Sequence, residues 1–245
     1  MAIQIQQLAT QREFAETVKL QQQIWGFKDI ELLPRCLFVV ASKIGGQVLG
    51  AVDGEKLVAF CLCIPGLKAG GKPYLHSHML GVLPEYRNTG LGRQLKLKQR
   101  EYALGVGVDL IEWTFDPLEI KNAFFNIERL GAIVRRYVYN QYGKSSSHLH
   151  GGLPTDRLVA EWWIRSERAE AACANSPFQS APPQASVSVP TAIAQMRRHE
   201  PRRVREIQSQ IGQQFDAHFR AGLAVTGFER TDHAGTYLLS KWESE

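Results

Sequence analysis

Two histidines, His76 and His78, alternate within the apolar run Tyr74–Val82, which puts both on one face of a strand. Neutral imidazole is a competent proton acceptor near neutral pH. Shortly after that run stands Arg87-x-x-Gly90-x-Gly92-Arg93, at the start of an amphipathic stretch. A helix start exposes N–H groups that have no intrahelical acceptor, and the helix dipole adds partial positive charge there. Glycines at 90 and 92 let an anion reach the backbone without meeting a Cβ. Strand, glycine turn and helix, in that order, build a phosphate cradle. Its donors are the amides of Asn88, Thr89, Gly90, Leu91, Gly92 and Arg93, with Arg87 and Arg93 as charge partners. A dinucleotide-binding fold fits less well. It wants G-x-G-x-x-G with an acidic residue about twenty positions on, and here G-x-G lies between two arginines.

The elements that must position these residues are legible from periodicity. Ile3–Leu8 alternates as a first strand, and Thr10 with Glu13 has the capping-box spacing for a helix carrying Phe14, Val18, Leu20 and Ile24. Pro34 opens a short helix through Ser42. Gln47–Val52 and Lys56–Ile64 form a hairpin about Asp53-Gly54, and 65–73 reads as a loop. After the turn come a helix from Leu91 to about Ala103, a strand Val108–Phe115, a helical segment Leu118–Leu130 and a strand Ala132–Tyr139. Residues 143–157 are irregular, and Thr155–Ile164 reads as helix or strand. Residues 166–190, rich in Ala, Ser, Pro and Gln, read as a linker. A helix near Glu200–Ala221 and strands Leu223–Phe228 and Thr236–Lys241 form a final unit, too small for a core of its own and expected to dock on the preceding sheet.

Residues 80–93 resemble the acyl-CoA-binding motif of the GCN5-related N-acetyltransferase (GNAT) superfamily, where a Q/R-x-x-G-x-G/A turn wraps the CoA pyrophosphate. The following helix–strand–helix–strand, with a Leu-Gly exit at ERLG (128–131), resembles the superfamily's core order over roughly residues 10–165. The stretch HLHGGLPTDRLVAEWW resembles a bacterial and archaeal branch of that superfamily. The resemblance implies an α/β fold: a mixed central sheet with splayed parallel strands flanked by helices, extended by the C-terminal helix–strand–strand. It divides the chain into 1–165 (acyltransferase domain), 166–190 (linker) and 191–245 (C-terminal unit). It implies acetyl-CoA as co-substrate and direct transfer to the amine of a small molecule. Pantetheine would lie along Leu80, Gly81 and Val82, and Asn122 and Asn126, four apart on one helix face, would bond the pantetheine or adenine side.

Amine acetylation needs a neutral amine. An amine of pKa near 10.4 is handicapped by about 4 kcal/mol at pH 7.4, which a base within reach partly recovers. Counting back from Arg87, His76 falls where histone-acetylating relatives carry a glutamate base. His76 is the first candidate base, His78 the second and Glu112 on the neighbouring strand the third. Asp116 could orient an amine. The superfamily's tyrosine acid, three residues before the Leu-Gly exit, is Ile127 here, leaving Tyr137, Tyr139 or Tyr142 as substitutes. That departure supports the alternative of a non-catalytic acyl-CoA-binding sensor or scaffold.

Other features exclude more than they assert. Net charge of +5 is too mild to argue a nucleic-acid partner, and the basic cluster Arg197, Arg198, Arg202, Arg203 and Arg205 reads first as a solvated face. Cys36, Cys61, Cys63 and Cys173 lack disulfide or zinc spacing, and Cys61 and Cys63 read as buried free thiols. His148-x-His150 is half a metal site at most, so no metal is expected. No apolar run reaches membrane-spanning length and no leader is evident. The expected setting is cytoplasmic, without a membrane partner and with room for a homodimer.

Overall fold

The computed structural model describes residues 3–143 and 153–242. The chain divides after Glu112 into two compact units. In the first, strand β1 (Gln4–Gln7) leads to helix α1 (Gln11–Trp25), and α2 (Arg35–Lys43) follows. Then come β2 (Gln47–Asp53), β3 (Lys56–Leu67), β4 (Pro73–Val82), α3 (Leu91–Gly105) and the start of β5 (Leu110–Phe115). Their order in the sheet is β1-β2-β3-β4-β5. All neighbours are antiparallel except β4 and β5, which run parallel and pair only at Leu75↔Ile111 and His76↔Glu112. The capping box forms: Glu13 N–H donates to Thr10 Oγ1 at 3.2 Å, and Thr10 N–H donates to the Glu13 carboxylate at 2.8 Å. Phe14, Leu20, Ile24, Phe38, Phe60 and Leu62 fill the core of this unit. The loop between β3 and β4 is shorter than 65–73, because β3 runs on to Leu67.

The second unit contains α4 (Ile120–Phe124), β6 (Ile133–Val138), β7 (Arg157–Trp163), α5 (Glu167–Ala174), β8 (Ala185–Pro190), α6 (Ile193–His199), α7 (Pro201–Arg220), β9 (Leu223–Arg230) and β10 (Ala234–Lys241). Its strands lie in the order β7-β6-β9-β10-β8, every pair antiparallel. The C-terminal strands therefore share a sheet with β6 rather than forming one alone. The stretch read as a linker holds α5 and β8, and only 166 and 175–184 lie outside helix and strand. Ser166 caps α5, and Val187 and Val189 at alternate positions of β8 are buried; two inward side chains are enough to seat a short strand beside β10.

The helix read over 118–130 is divided. After α4 the backbone widens into a π-helical turn, Phe125–Arg129. The wider turn breaks the four-residue repeat, so Asn122 is exposed while Asn126 is buried, and the two do not share a face. The Leu-Gly exit is required twice over. Gly131 has φ +75°, and a Cβ there would stand 2.7 Å from the carbonyl oxygen of Arg168.

Behind β4, α3 buries a polar group. Lys96 Nζ donates to Ser77 Oγ at 3.1 Å and to Gln99 Oε1 at 2.9 Å. The Gln99 amide donates to Cys61 Sγ and, at 2.8 Å, to Cys63 Sγ. Both thiols are free and buried, as their alternation implied. Burial pushes the Lys96 ammonium down to about 8 from 10.5 and the Cys61 thiol up to about 11 from 9.0; Cys63 moves up as well. Above pH 8 the unfolded chain keeps a proton on Lys96 that the native state has lost, so stability rises with pH and is lost on descending through 8. Above about 9 the buried thiols reverse the slope, because the unfolded chain ionises them first. We expect melting temperature to peak near pH 9 in wild type, and the rise from pH 8 to vanish in Lys96→Met. Calorimetric scans across pH 7–10 check this.

Candidate active site

The site of the first unit is built on β4 and the turn that leaves it. The pairing of β3 with β4 shifts between Leu62↔Met79 and Cys63↔Ser77, so His78 is an extra, bulged residue. The alternation holds from Leu75 through His78, with Ser77 turned to α3 and the two histidines on the other face, and it shifts only beyond the bulge. Their rings are adjacent, with centroids 5.8 Å apart and planes tilted by 40°. Burial, then the neighbouring His78, pushes the His76 imidazole down to about 4, while Glu112 pulls it up. Burial lowers His78 as well. Both rings are neutral at physiological pH and carry a lone pair that can take a proton, although the lowered pKa makes each a weaker base than free imidazole.

Beyond His76 the pairing of β4 with β5 ends, and Leu80, Gly81 and Val82 pair with β3 on one side only among the described residues. Gly81 carries no Cβ for a reason of packing: one would stand 2.7 Å from the ring of Trp25, at the end of α1. The chain then passes a 3₁₀ turn at Pro84–Tyr86 and enters the glycine turn. Asn88 (φ 64°) and Gly90 (φ 85°) both take the left-handed conformation, which coils the backbone around its own amides. Thr89 Oγ1 donates to Tyr86 O at 2.8 Å, and Arg87 Nε donates to Val82 O at 3.2 Å, fixing the guanidinium at the mouth of the turn. The first helical bond of α3 is Gln94 N–H to Gly90 O at 3.1 Å. The amides of Leu91 and Gly92 precede it, in the first turn of the helix, where no carbonyl lies a turn earlier. Among the described residues, a Cβ on Gly92 would meet only Leu80 Cδ2, at 3.6 Å. A glycine turn at a helix start with a guanidinium beside it is the kind of arrangement that receives an anion.

Glu112, the third candidate base, is engaged: its carboxylate accepts from Lys68 Nζ at 2.5 Å. Lys68 was not singled out from the sequence, because its partner is far along the chain and only β4–β5 pairing brings the two together. Asn122 and Asn126 belong to the second unit, where Asn126 O accepts from Ala132 N–H at 3.0 Å. Ile127 is buried, and its carbonyl accepts from Arg168 at 3.0 Å, so that position offers no proton donor. Tyr137 donates to Asp156 at 2.7 Å, and burial with that bond drives its phenol far up. Tyr139 donates to Asp216 at 2.9 Å and is pushed up to about 12, by burial first. Both are poor acids. Tyr142 shares a bond of 3.0 Å with Thr114.

Asp116 is occupied as well, capping Leu118 N–H at 2.8 Å and accepting from Arg197 at 2.7 Å. Arg197, read as part of a solvated basic face, is instead a buried ion pair at the end of α6. Arg202, Arg203 and Arg205 open the separate helix α7. His148 and His150 lie outside the described residues. Among the described residues no three His, Cys, Asp or Glu side chains could jointly hold a metal, and no helix is long and apolar enough to cross a membrane.

The acetyltransferase (GNAT) family model matches residues 7–131, and the chain belongs to that family, whose members transfer acetyl groups from acetyl-CoA to amines. Among solved structures, the ribosomal-protein-S18-alanine N-acetyltransferase of Escherichia coli is 15% identical over 68% of this chain and 97% of that one, with a TM-score of 0.53. Arabidopsis thaliana NAA60 in complex with a bisubstrate analogue is 15% identical over 66% and 98%, with a TM-score of 0.54. The acetyltransferase of GNAT family from Streptococcus pneumoniae is 16% identical over 65% and 98%, with a TM-score of 0.50. At these identities the likeness speaks to the fold alone. No curated protein sequence matches the chain.

Proposed function

We propose that this chain transfers an acetyl group from acetyl-CoA directly to the amine of a small molecule, with His76 as proton acceptor. The observation that carries this reading is the joining, on one strand, of a neutral imidazole pair to a segment unpaired with β5 that leads straight into the glycine turn at a helix start. Acetyl-CoA, when bound, supplies an activated acyl carbon and a thiol leaving group. Amides from Asn88 to Arg93 hold the diphosphate with Arg87 beside them, and the backbone of Leu80–Val82 lines the pantetheine and polarises the acyl carbonyl. Asn126 is buried in the second unit and is not needed for this scheme. His76 takes the proton as the amine attacks, and the Glu112 carboxylate across the strand stabilises the imidazolium that results. A thiol of ordinary acidity, about 8.5, leaves without a dedicated acid, so Ile127 does not block turnover.

A small acceptor is favoured by what covers β4. Trp25 lies on Gly81 at one end of the histidine pair, and Lys68 reaches Glu112 at the other, so a side chain already stands at each end. The E. coli structural relative acts on a protein, but at 15% identity its acceptor does not carry over. Thiol release from acetyl-CoA across a panel of small amines and of peptides with free N-termini tests the proposal. Turnover with small amines is expected. Turnover confined to peptides would overturn the small-molecule reading, and coenzyme binding with no turnover on any amine would favour a sensor.

A further inference from the structure

The Glu112 carboxylate is buried on β5 directly across from His76, and the Lys68 ammonium rests on it at 2.5 Å. The same ammonium lies over the Tyr74 ring, 4.5 Å from its centroid. Tyr74 keeps that position because Gly66, its partner on β3, has no side chain; a Cβ there would stand 2.5 Å from a ring carbon. Lys68 itself opens the tight turn of the β3–β4 hairpin, its N–H donating to Lys72 O at 2.8 Å. A buried carboxylate and the face of an aromatic ring, with an amine between them, make a pocket for a cationic group beside the proton acceptor.

Such a pocket is the wrong place for the amine that is to be acetylated. A carboxylate and a π-face both favour ammonium over free amine, whereas attack requires the free amine. It is the right place for a second positive charge on the same acceptor, one that stays charged while the first nitrogen reacts near His76. Resting on the acetyl-transfer reading above, we propose that Glu112 and Tyr74 form a subsite for a non-reacting cationic group of the acceptor, that the acceptor is a small di- or polyamine, and that Lys68 holds the subsite until the acceptor displaces it. Lys68 is built to leave. Its side chain is 30% exposed, and its turn carries Gly70 and Gly71, both at positive φ. An intramolecular competitor also sets a high effective concentration against which the acceptor must bind, which keeps wild-type affinity modest.

Titration calorimetry with 1,4-diaminobutane, without acetyl-CoA, tests the subsite in wild type, Lys68→Met, Lys68→Gln and the double variant Lys68→Met/Glu112→Gln. Both single variants are expected to bind about tenfold more tightly than wild type, and the double variant to lose the gain. Equal affinity in wild type and both single variants, or a gain that survives Glu112→Gln, overturns the proposal. With acetyl-CoA, kcat/KM for 1,4-diaminobutane is expected to exceed that for butylamine about tenfold, and parity overturns the role of the second charge. Binding that follows the calorimetric pattern with neither amine acetylated sinks the transfer reading and leaves the cation subsite standing.

Discussion

Gly92→Asp is expected to lower affinity for coenzyme A about 100-fold, roughly 2.7 kcal/mol, while the protein melts no lower than wild type. The two effects have opposite physical origins. The fold has room for the new side chain, whose Cβ would touch nothing nearer than Leu80 Cδ2 at 3.6 Å. An acidic residue in the first turn of α3 also interacts favourably with the helix dipole, by about 0.3–1 kcal/mol, and replacing glycine restricts the unfolded chain. A diphosphate approaching the same amides would meet both the added atoms and a like charge. Gly90→Asp would be a poorer test, because φ +85° there strains any side chain and mixes misfolding with lost binding. Calorimetric titration with coenzyme A, paired with a thermal scan, separates the two quantities. Undiminished affinity would remove the cradle from the account.

His76→Ala is expected to lower kcat about 100-fold and leave the coenzyme A dissociation constant where it was. The pH dependence carries a sharper signature. Burial holds the imidazole down at about 4, so His76 remains neutral through the range in which a free histidine would protonate. The acid limb of kcat/KM should therefore not fall near 6.5. It should rise toward the pKa of the acceptor amine and move when the acceptor is changed. A limb fixed near 6.5 for every acceptor, or a variant with wild-type kcat, would assign the proton to another group.

The glycine turn was legible in the sequence because it is local: strand, glycines and helix start lie within one short stretch, and each constraint acts between near neighbours. The same holds for the Thr10 capping box and the hairpin about Asp53-Gly54. What escaped was set by pairing between distant segments. The His78 bulge is invisible in YLHSHMLGV, because alternation continues in the sequence and fails only in the register with β3. Lys68 in a loop and Glu112 on a strand become partners only once β4 lies beside β5. Lys96 reads as one more surface lysine on an amphipathic helix, yet it is buried against Ser77 and Gln99. Residues 166–190 misled through composition, since Ala, Ser and Pro describe a linker as well as they describe a short helix and a strand with two inward valines.

Gly131 and Gly92 are held in place by different things. Packing against the carbonyl of Arg168 forbids any side chain at the former, whereas nothing among the described residues forbids one at the latter. A descendant that gave up coenzyme binding would keep Gly131 merely to remain folded and would be free to drift at Gly92. Comparing those two positions among this chain's kin would separate copies still under selection for chemistry from those retained for their architecture alone.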